Sequence, residues 1–315
     1  MSTNNSAVQM YALGLDQVAN AIKHTGTKRT MLVQGDMGTG KSSLLTTLAT
    51  ELPNHIACYF DCTTKDFGDI SIPNLARLDD GTGYVTYLTN EELGVHNNKP
   101  IILMIDEFGK ANPAVKNALL RVILERKIGS YSLHPDSVVF ATTNKSGEGL
   151  GDILQPHQRN RSTIVTIKKT EAIKWIEWGL DNDIDPVLLG WVKDNPQVAQ
   201  TFDEVPDPQE NLMIFHPKDP SRQSFWTWRS GEAASDILKK RHMMSTHMVT
   251  AALIGTVGEQ AAMQLMAFVN VANDLPSLES IKTDPVNAKV PSSAAATCMV
   301  VYRTLSTIER DWVDA

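Results

Sequence analysis

Three glycines within six residues, followed by a lysine and two serines, distinguish the stretch Gly35-Asp36-Met37-Gly38-Thr39-Gly40-Lys41-Ser42-Ser43. Gly35 and Gly40, with Lys41-Ser42 directly after, satisfy the spacing of a phosphate-binding loop. Glycines at these places permit positive φ and close backbone approach, so successive N–H groups and a helix N-terminus can surround a polyphosphate. In such a loop Lys41 reaches the β and γ phosphates of ATP and the Ser42 hydroxyl ligates Mg²⁺. A flexible turn with a surface lysine is the bland alternative, and it does not require a strand before the loop and a helix after it.

Two further groups can complete such a site. The run IILMIDEFGK ends an apolar stretch on Asp106 and Glu107. At the C-terminal end of a strand beside the loop, Asp106 can hold Mg²⁺ through its water shell and Glu107 can polarise the attacking water. Taken alone, two adjacent carboxylates would read as a solvated helix cap. The third group is VVFATTN, which closes on Thr142, Thr143 and Asn144. An amide at that strand tip can orient the lytic water and sense the γ-phosphate, where a lone Asn would otherwise be a turn former.

The elements that must carry these residues follow from periodicity. Short β-rich runs alternate with helical patterns in the first half, the signature of a parallel sheet with crossover helices. Strands are predicted at Thr30–Gln34, Ile56–Asp61, Ile101–Asp106, Val138–Asn144 and Ser162–Lys169. Leu44, Leu45, Leu48 and Leu52 recur at helical spacing directly after the glycine loop, so the loop sits between strand and helix. Asn112 and Pro113 suit an N-cap and a first helical residue, with Val115, Leu119, Val122 and Ile123 on one face. Glu125–Ser137 reads as a short hairpin or exposed loop. From Thr170 helical patterns dominate: Ile173, Ile176 and Leu180, then PVLLGWVKD, then a Met- and Ala-rich region from Glu232 to Asn273, in which Met263 and Met266 are expected to fill the core. Leu275–Ala296 reads as a proline-punctuated connector before a last amphipathic helix. Residues 61–98 leave two readings open: an inserted hairpin or helix lining a central pore, since Tyr84 and Tyr87 sit among smaller β-prone residues as in a strand, or an ordinary packed hairpin.

Composition bounds the classes. The chain has 315 residues, 42 % apolar and 21 % charged, which suits a folded protein with a sizeable core. A net charge of −7 supplies no global attraction to nucleic acid or anionic lipid. Three cysteines, Cys58, Cys62 and Cys298, lack metal-ligand spacing and are expected to be free thiols. The N-terminal MSTNNSAVQMYALG has neither a basic nor an apolar targeting segment, and no apolar run reaches membrane-spanning length, so a cytoplasmic location and no membrane partner are expected.

The order of Gly35–Ser42, Ile101–Glu107, Asn117–Asn144 and Leu154–Ile167 resembles an AAA+ ATPase of the MoxR type. The resemblance is strongest over residues 30 to 170. It implies an α/β P-loop NTPase (AAA+) core with a five-stranded parallel sheet over residues 1–168, followed by an all-helical lid and C-terminal extension over residues 169–315, with ATP and Mg²⁺ as cofactors. It gives Asn144 the sensor-1 role and Arg161 the place of an arginine finger reaching the nucleotide of a neighbouring subunit. The family shows Asp-Arg-Phe where this chain has Asn160-Arg161-Ser162, and Arg159 is a second candidate. DPSRQSFWTW is similar to the family's lid motif, which makes Arg222 the counterpart of sensor 2. A small insert within residues 61–98 is also implied.

A phosphoryl-transfer site needs positive charge around the equatorial oxygens and an in-line water, which Lys41, Mg²⁺, Glu107 and an arginine together supply. The resemblance implies self-association into a ring, expected to be a hexamer, that remodels a protein partner, with a von Willebrand factor A domain protein as one such partner. The alternative is a nucleic-acid-associated ATPase, clamp-loader-like or helicase-loader-like, using Lys127–Leu133 and the basic run Lys239, Lys240, Arg241 and His242; short charge runs are more often solvated helix faces. A small-molecule kinase would share the loop without needing the Asp-Glu pair, and a non-hydrolysing nucleotide switch would not need Glu107.

Overall fold

The computed structural model describes residues 11–145, 160, 162–272, 275–276, 278–284, 286–291 and 294–305. The chain forms two compact units, Met1–Lys168 and Lys169–Ala315.

The first unit runs α1 (Leu15–Thr25), β1 (Met31–Gly35), α2 (Ser43–Glu51), β2 (Ile56–Asp61), β3 (Ser71–Arg77), β4 (Gly83–Thr89), β5 (Ile101–Asp106), α3 (Pro113–Glu125), β6 (Lys127–Ile128), β7 (Tyr131–Ser132), β8 (Val138–Asn144) and β9 (Thr163–Thr166). Five strands make one sheet in the order β2-β5-β8-β1-β9, with every neighbouring pair parallel. The two central strands β5 and β8 are buried at every residue, which is why their sequences read as unbroken apolar runs. Strand period two divides them between two cores. Leu103, Ile105, Val139 and Ala141 pack with Val115, Leu119 and Val122 of α3. Ile102, Met104, Val138 and Phe140 pack with Val18 and Ile22 of α1 and Leu44 and Leu48 of α2.

Helix α3 starts as its sequence directs: the Asn112 side chain accepts from the Val115 amide at 2.9 Å and Pro113 takes the first position. It ends at Arg126, whose φ of 56° is left-handed without a glycine. The largely buried Arg126 guanidinium donates to Thr30 Oγ1 at 2.5 Å, Gly26 O at 2.8 Å and Ile123 O at 3.1 Å, joining the end of α3 to the segment that leads into β1. Burial pulls its pKa down to about 10.

Residues 61–98 hold a hairpin, but it is not packed. β3 and β4 pair antiparallel, with Ile72 opposite Leu88 and Ala76 opposite Tyr84 on one face, Pro73 opposite Tyr87 and Leu75 opposite Val85 on the other. Ile72, Leu75, Val85 and Leu88 are all more than half exposed, Leu75 by 83 %. A two-stranded ribbon that is apolar on both faces cannot bury both against one core. Glu125–Ser137 contributes a short hairpin, β6–β7, turning at Gly129. The first strand begins one residue later than its pattern suggested, and β9 is four residues long, within the wider Ser162–Lys169.

The second unit contains α4 (Ala172–Asp181), α5 (Pro186–Asp194), α6 (Trp228–Lys239), α7 (Thr246–Val257), α8 (Glu259–Ala272), α9 (Leu278–Thr283) and α10 (Ala294–Leu305). Its core is built around indoles: Trp175 stacks on Trp228 with ring centres 4.9 Å apart, and Trp191 lies 5.0 Å from Trp226. The Met- and Ala-rich region is built from α6, α7 and α8. The break between α7 and α8 falls at Gly258, where φ is +86° and a Cβ would stand 2.6 Å from Ser224 O. Met266 is buried in the core as its spacing suggests, but Met263, one turn earlier on α8, is 54 % exposed. Short helix α9 interrupts the proline-punctuated connector. Among the described residues no helix is long and apolar enough to cross a membrane.

Candidate functional site

Strand register assembles the site. In the parallel pair β1–β8, Gly35 lies opposite Asn144, so the start of the glycine loop and the polar tip of β8 are neighbours. In β2–β5, Asp61 lies opposite Asp106. Adjacent C-terminal strand ends therefore bring Asp61, Asp106, Asn144 and Gly35 to one edge of the sheet, where α/β sheets place ligands.

The loop folds tightly into α2. Gly38 and Gly40 take φ of 70° and 85°. Gly35 is needed for space, since a Cβ there would stand 2.3 Å from Ile167 Cγ2. Thr39 Oγ1 donates to Asp36 O at 3.0 Å, and the Ser43 amide and hydroxyl both donate to Gly40 O, at 3.0 and 2.7 Å. Met37 and Gly38 are half-buried, and Ser42 is exposed at the head of the helix. Lys41 is buried, its Nζ donating to Gly35 O at 2.8 Å, Asp36 O at 2.9 Å and Asn144 Oδ1 at 2.8 Å. Asp36 carries a nearly buried carboxylate within this loop, 3.2 Å from Lys145 Nζ on the residue after Asn144.

Asp106 is buried and heavily bonded. Its Oδ1 accepts from Thr142 Oγ1 and, at 3.1 Å, from the Glu107 amide; its Oδ2 accepts from the Tyr59 hydroxyl at 2.8 Å. The Glu107 amide also donates to Thr142 Oγ1 at 3.2 Å. Glu107 has φ 50° and ψ 37°, a left-handed conformation that costs a non-glycine residue of order 1 kcal/mol and turns its carboxylate away from the strand direction. Its Oε2 stands 3.2 Å from Lys110 Nζ. That oxygen is buried and receives no aligned hydrogen bond, so the pair is held by charge. Behind this edge lies Cys62, 1 % exposed, its thiol pushed up to about 12 by burial first and then by the negative charge of Asp61 and Asp106.

The structure thus brings Gly35–Ser43, Asp106, Glu107 and Asn144 together. Arg159 and Arg161 lie outside the described residues. Arg222 belongs to the helical unit, where its Nε donates to Asp219 Oδ2 at 2.9 Å, Nη1 to Asn211 O and Ile214 O at 3.0 and 2.8 Å, and Nη2 to Pro208 O at 2.5 Å. The basic run is engaged locally too: Lys239 pairs with Asp183 at 2.8 Å and Arg241 with Asp185 at 2.7 Å. Sequence reading gave no role to Tyr59, Thr142, Lys110 or Lys145. Thr142 lay within the noticed TTN ending, whereas Tyr59 could be found only by knowing that β2 pairs with β5.

The residues fit a magnesium nucleotide: an amide-lined glycine loop, a buried lysine, and the Ser42 hydroxyl with the Asp106 carboxylate as hard oxygen donors. Among the described residues no group of three or more His, Cys, Asp or Glu is placed to hold a metal ion by itself. A phosphate-bound Mg²⁺ needs only one or two protein ligands besides the phosphates and water.

A five-stranded parallel sheet with the glycine loop between β1 and α2, followed by a helical region, is an α/β P-loop NTPase fold of the AAA type. Residues 31–167, a little under half of the chain, match the model of the ATPase family associated with various cellular activities (AAA), which points to an ATP-hydrolysing enzyme. No curated protein matches the sequence. Among solved structures the chain is similar to a candidate ATPase from Cytophaga hutchinsonii, at 17 % identity and a TM-score of 0.38 over 55 % of this chain and 52 % of that one. The match thus spans about half the length of that protein. It is also similar to the RuvB Holliday junction branch migration motor of Thermotoga maritima, at 17 % identity and a TM-score of 0.40 over 95 % of this chain and 84 % of that one.

Proposed function

We propose that the chain is a Mg²⁺-dependent ATPase of the MoxR type that works as a ring, a hexamer by resemblance, in the cytoplasm to remodel a protein partner. The observation that carries the ATPase site is the convergence of Lys41, Asn144, Asp106 and Glu107 on one sheet edge through the register Gly35↔Asn144 and the bonds of Asp106 to Thr142 and the Glu107 amide.

In this reading Gly35–Ser43 cradle the phosphates, Lys41 exchanges its present oxygen partners for β and γ phosphate oxygens, and Asn144 stays beside it as γ-phosphate sensor. Ser42 and Asp106 hold the Mg²⁺, which neutralises charge on the phosphates when bound. Glu107 accepts the proton of the water whose oxygen bonds the γ-phosphorus, as the bond to the β–γ bridging oxygen breaks and ADP leaves. Arg161, or Arg159, comes from the neighbouring subunit, so that assembly governs turnover. Arg222 contacts phosphate only by giving up bonds to three carbonyls and Asp219, which makes it a loop organiser at rest. The protein-partner reading rests on the β3–β4 ribbon, apolar on both faces and exposed, with Arg77 its single basic residue. That surface suits an apolar polypeptide better than phosphate backbone. An adaptor with a von Willebrand factor A domain remains part of the proposal through the resemblance.

Glu107→Gln tests the site: nucleotide binding is retained and hydrolysis falls at least about a hundredfold. Undiminished turnover would remove Glu107 from the chemistry. Electron microscopy with a slowly hydrolysed ATP analogue tests the ring, and DNA-stimulated, salt-dependent turnover would favour the nucleic-acid alternative.

A further inference from the structure

We propose that Lys110 is a positioning residue for the water-activating carboxylate, an inference that rests on the reading of Glu107 above. The left-handed turn at Glu107 leads into Phe108–Lys110, and the Lys110 amide donates back to Glu107 O at 2.8 Å. The same turn brings Lys110 Nζ to 3.2 Å from Glu107 Oε2, with both side chains about a quarter exposed. The two carboxylate oxygens are therefore unequal. Oε2 is buried against the ammonium, while Oε1 keeps solvent access and receives no hydrogen bond from a described residue.

A general base needs one oxygen aimed at the water and the rest of the carboxylate fixed, because a freely rotating side chain spends most of its time misaligned. Lys110 supplies that fixation. The main chain fixes the other end, since the Glu107 amide is bonded to Asp106 Oδ1 and Thr142 Oγ1. Glu107 is thus held at its backbone by the metal-side cluster and at its head by Lys110, leaving Oε1 as the acceptor. Among the described residues Lys110 makes no hydrogen bond or ion pair with the glycine loop or Asn144; it acts through Glu107.

The experiment compares Lys110→Met, Lys110→Arg and Glu107→Gln in the full chain, measuring phosphate release at saturating Mg·ATP, KM, and affinity for a fluorescent non-hydrolysed ATP analogue. Lys110→Met is expected to lower kcat about ten- to hundredfold while analogue affinity stays within about twofold, and Lys110→Arg to recover most of the lost turnover. Lys110→Met turnover at or above the wild-type level, with Glu107→Gln inactive, overturns the positioning role and leaves the Glu107 reading standing. Equal losses of analogue affinity and kcat in Lys110→Met also overturn it, since the lysine would then serve the fold. Full activity in Glu107→Gln removes the carboxylate reading and this inference with it.

Discussion

Thr142→Val probes the bond that links the two central strands at the site. Thr142 is fully buried on β8, and its hydroxyl donates to Asp106 Oδ1 while accepting from the Glu107 amide. Valine has the same shape and removes only the hydroxyl. Asp106 keeps the Tyr59 hydroxyl and the Glu107 amide, and that amide keeps Asp106 Oδ1, so no group is left wholly unpaired. The loss is one hydrogen bond to a buried carboxylate, about 1.5–3 kcal/mol, together with the longer of the two acceptors that share the Glu107 amide, offset in part by about 0.8 kcal/mol of extra apolar burial. A net cost of about 1–2 kcal/mol lowers Tm by about 2–8 °C for a unit of this size. The same cost, expressed where Asp106 is proposed to hold the metal, raises KM for Mg·ATP by about five- to thirtyfold. Differential scanning calorimetry with and without Mg·ATP, together with phosphate-release kinetics, measures both. Thr142→Ser, which keeps the hydroxyl, should lie closer to wild type in KM. A Thr142→Val chain with Tm within about 1 °C of wild type and unchanged KM would refute the reasoning, because a charge-assisted buried bond cannot be removed without cost.

Cys62 should resist a disulfide exchange reagent at pH 8 in the native protein and react only on unfolding, because only the thiolate attacks and burial holds its pKa near 12. The folded state keeps this proton longer than the unfolded one, so the stabilising contribution is complete below about pH 9 and is lost towards pH 12 at about 1.4 kcal/mol per unit; urea titrations of Cys62→Ala between pH 8 and 10 should show a shallower alkaline decline. Arg126→Met should destabilise the first unit by about 3 kcal/mol or more, since Thr30 Oγ1 and Gly26 O lose their donor, and chemical denaturation compared with wild type reads it out.

What could be read from the chain in advance was whatever depends on local periodicity. Ile56–Asp61, Ile101–Asp106 and Val138–Asn144 are strands at their expected bounds because short β-rich runs bounded by polar residues leave little else for the backbone to do; the second and third are buried on both faces and the first, at the sheet edge, on one. The glycine loop followed for the same reason. The β3–β4 ribbon defeated the pattern because its apolar residues fall on both faces, so no alternation announces which side is covered. Thr142 and Tyr59 were visible as residues but silent as partners: their roles require the register of β5 against β8 and against β2, which depends on contacts distant in sequence. Lys110 depends on a left-handed glutamate, a conformation that composition does not signal. Arg222 sits in a long irregular segment where its carbonyl partners follow no repeat.

The indole core of the helical unit also divides the molecule optically. All six tryptophans, at positions 175, 178, 191, 226, 228 and 312, belong to the second unit, while the nucleotide-binding unit has none. Emission excited at the red edge of the indole band therefore follows unfolding of the second unit, and tyrosine or far-ultraviolet signals are needed to see the first unfold. Non-coincident transitions between these probes would show directly whether the two units unfold independently.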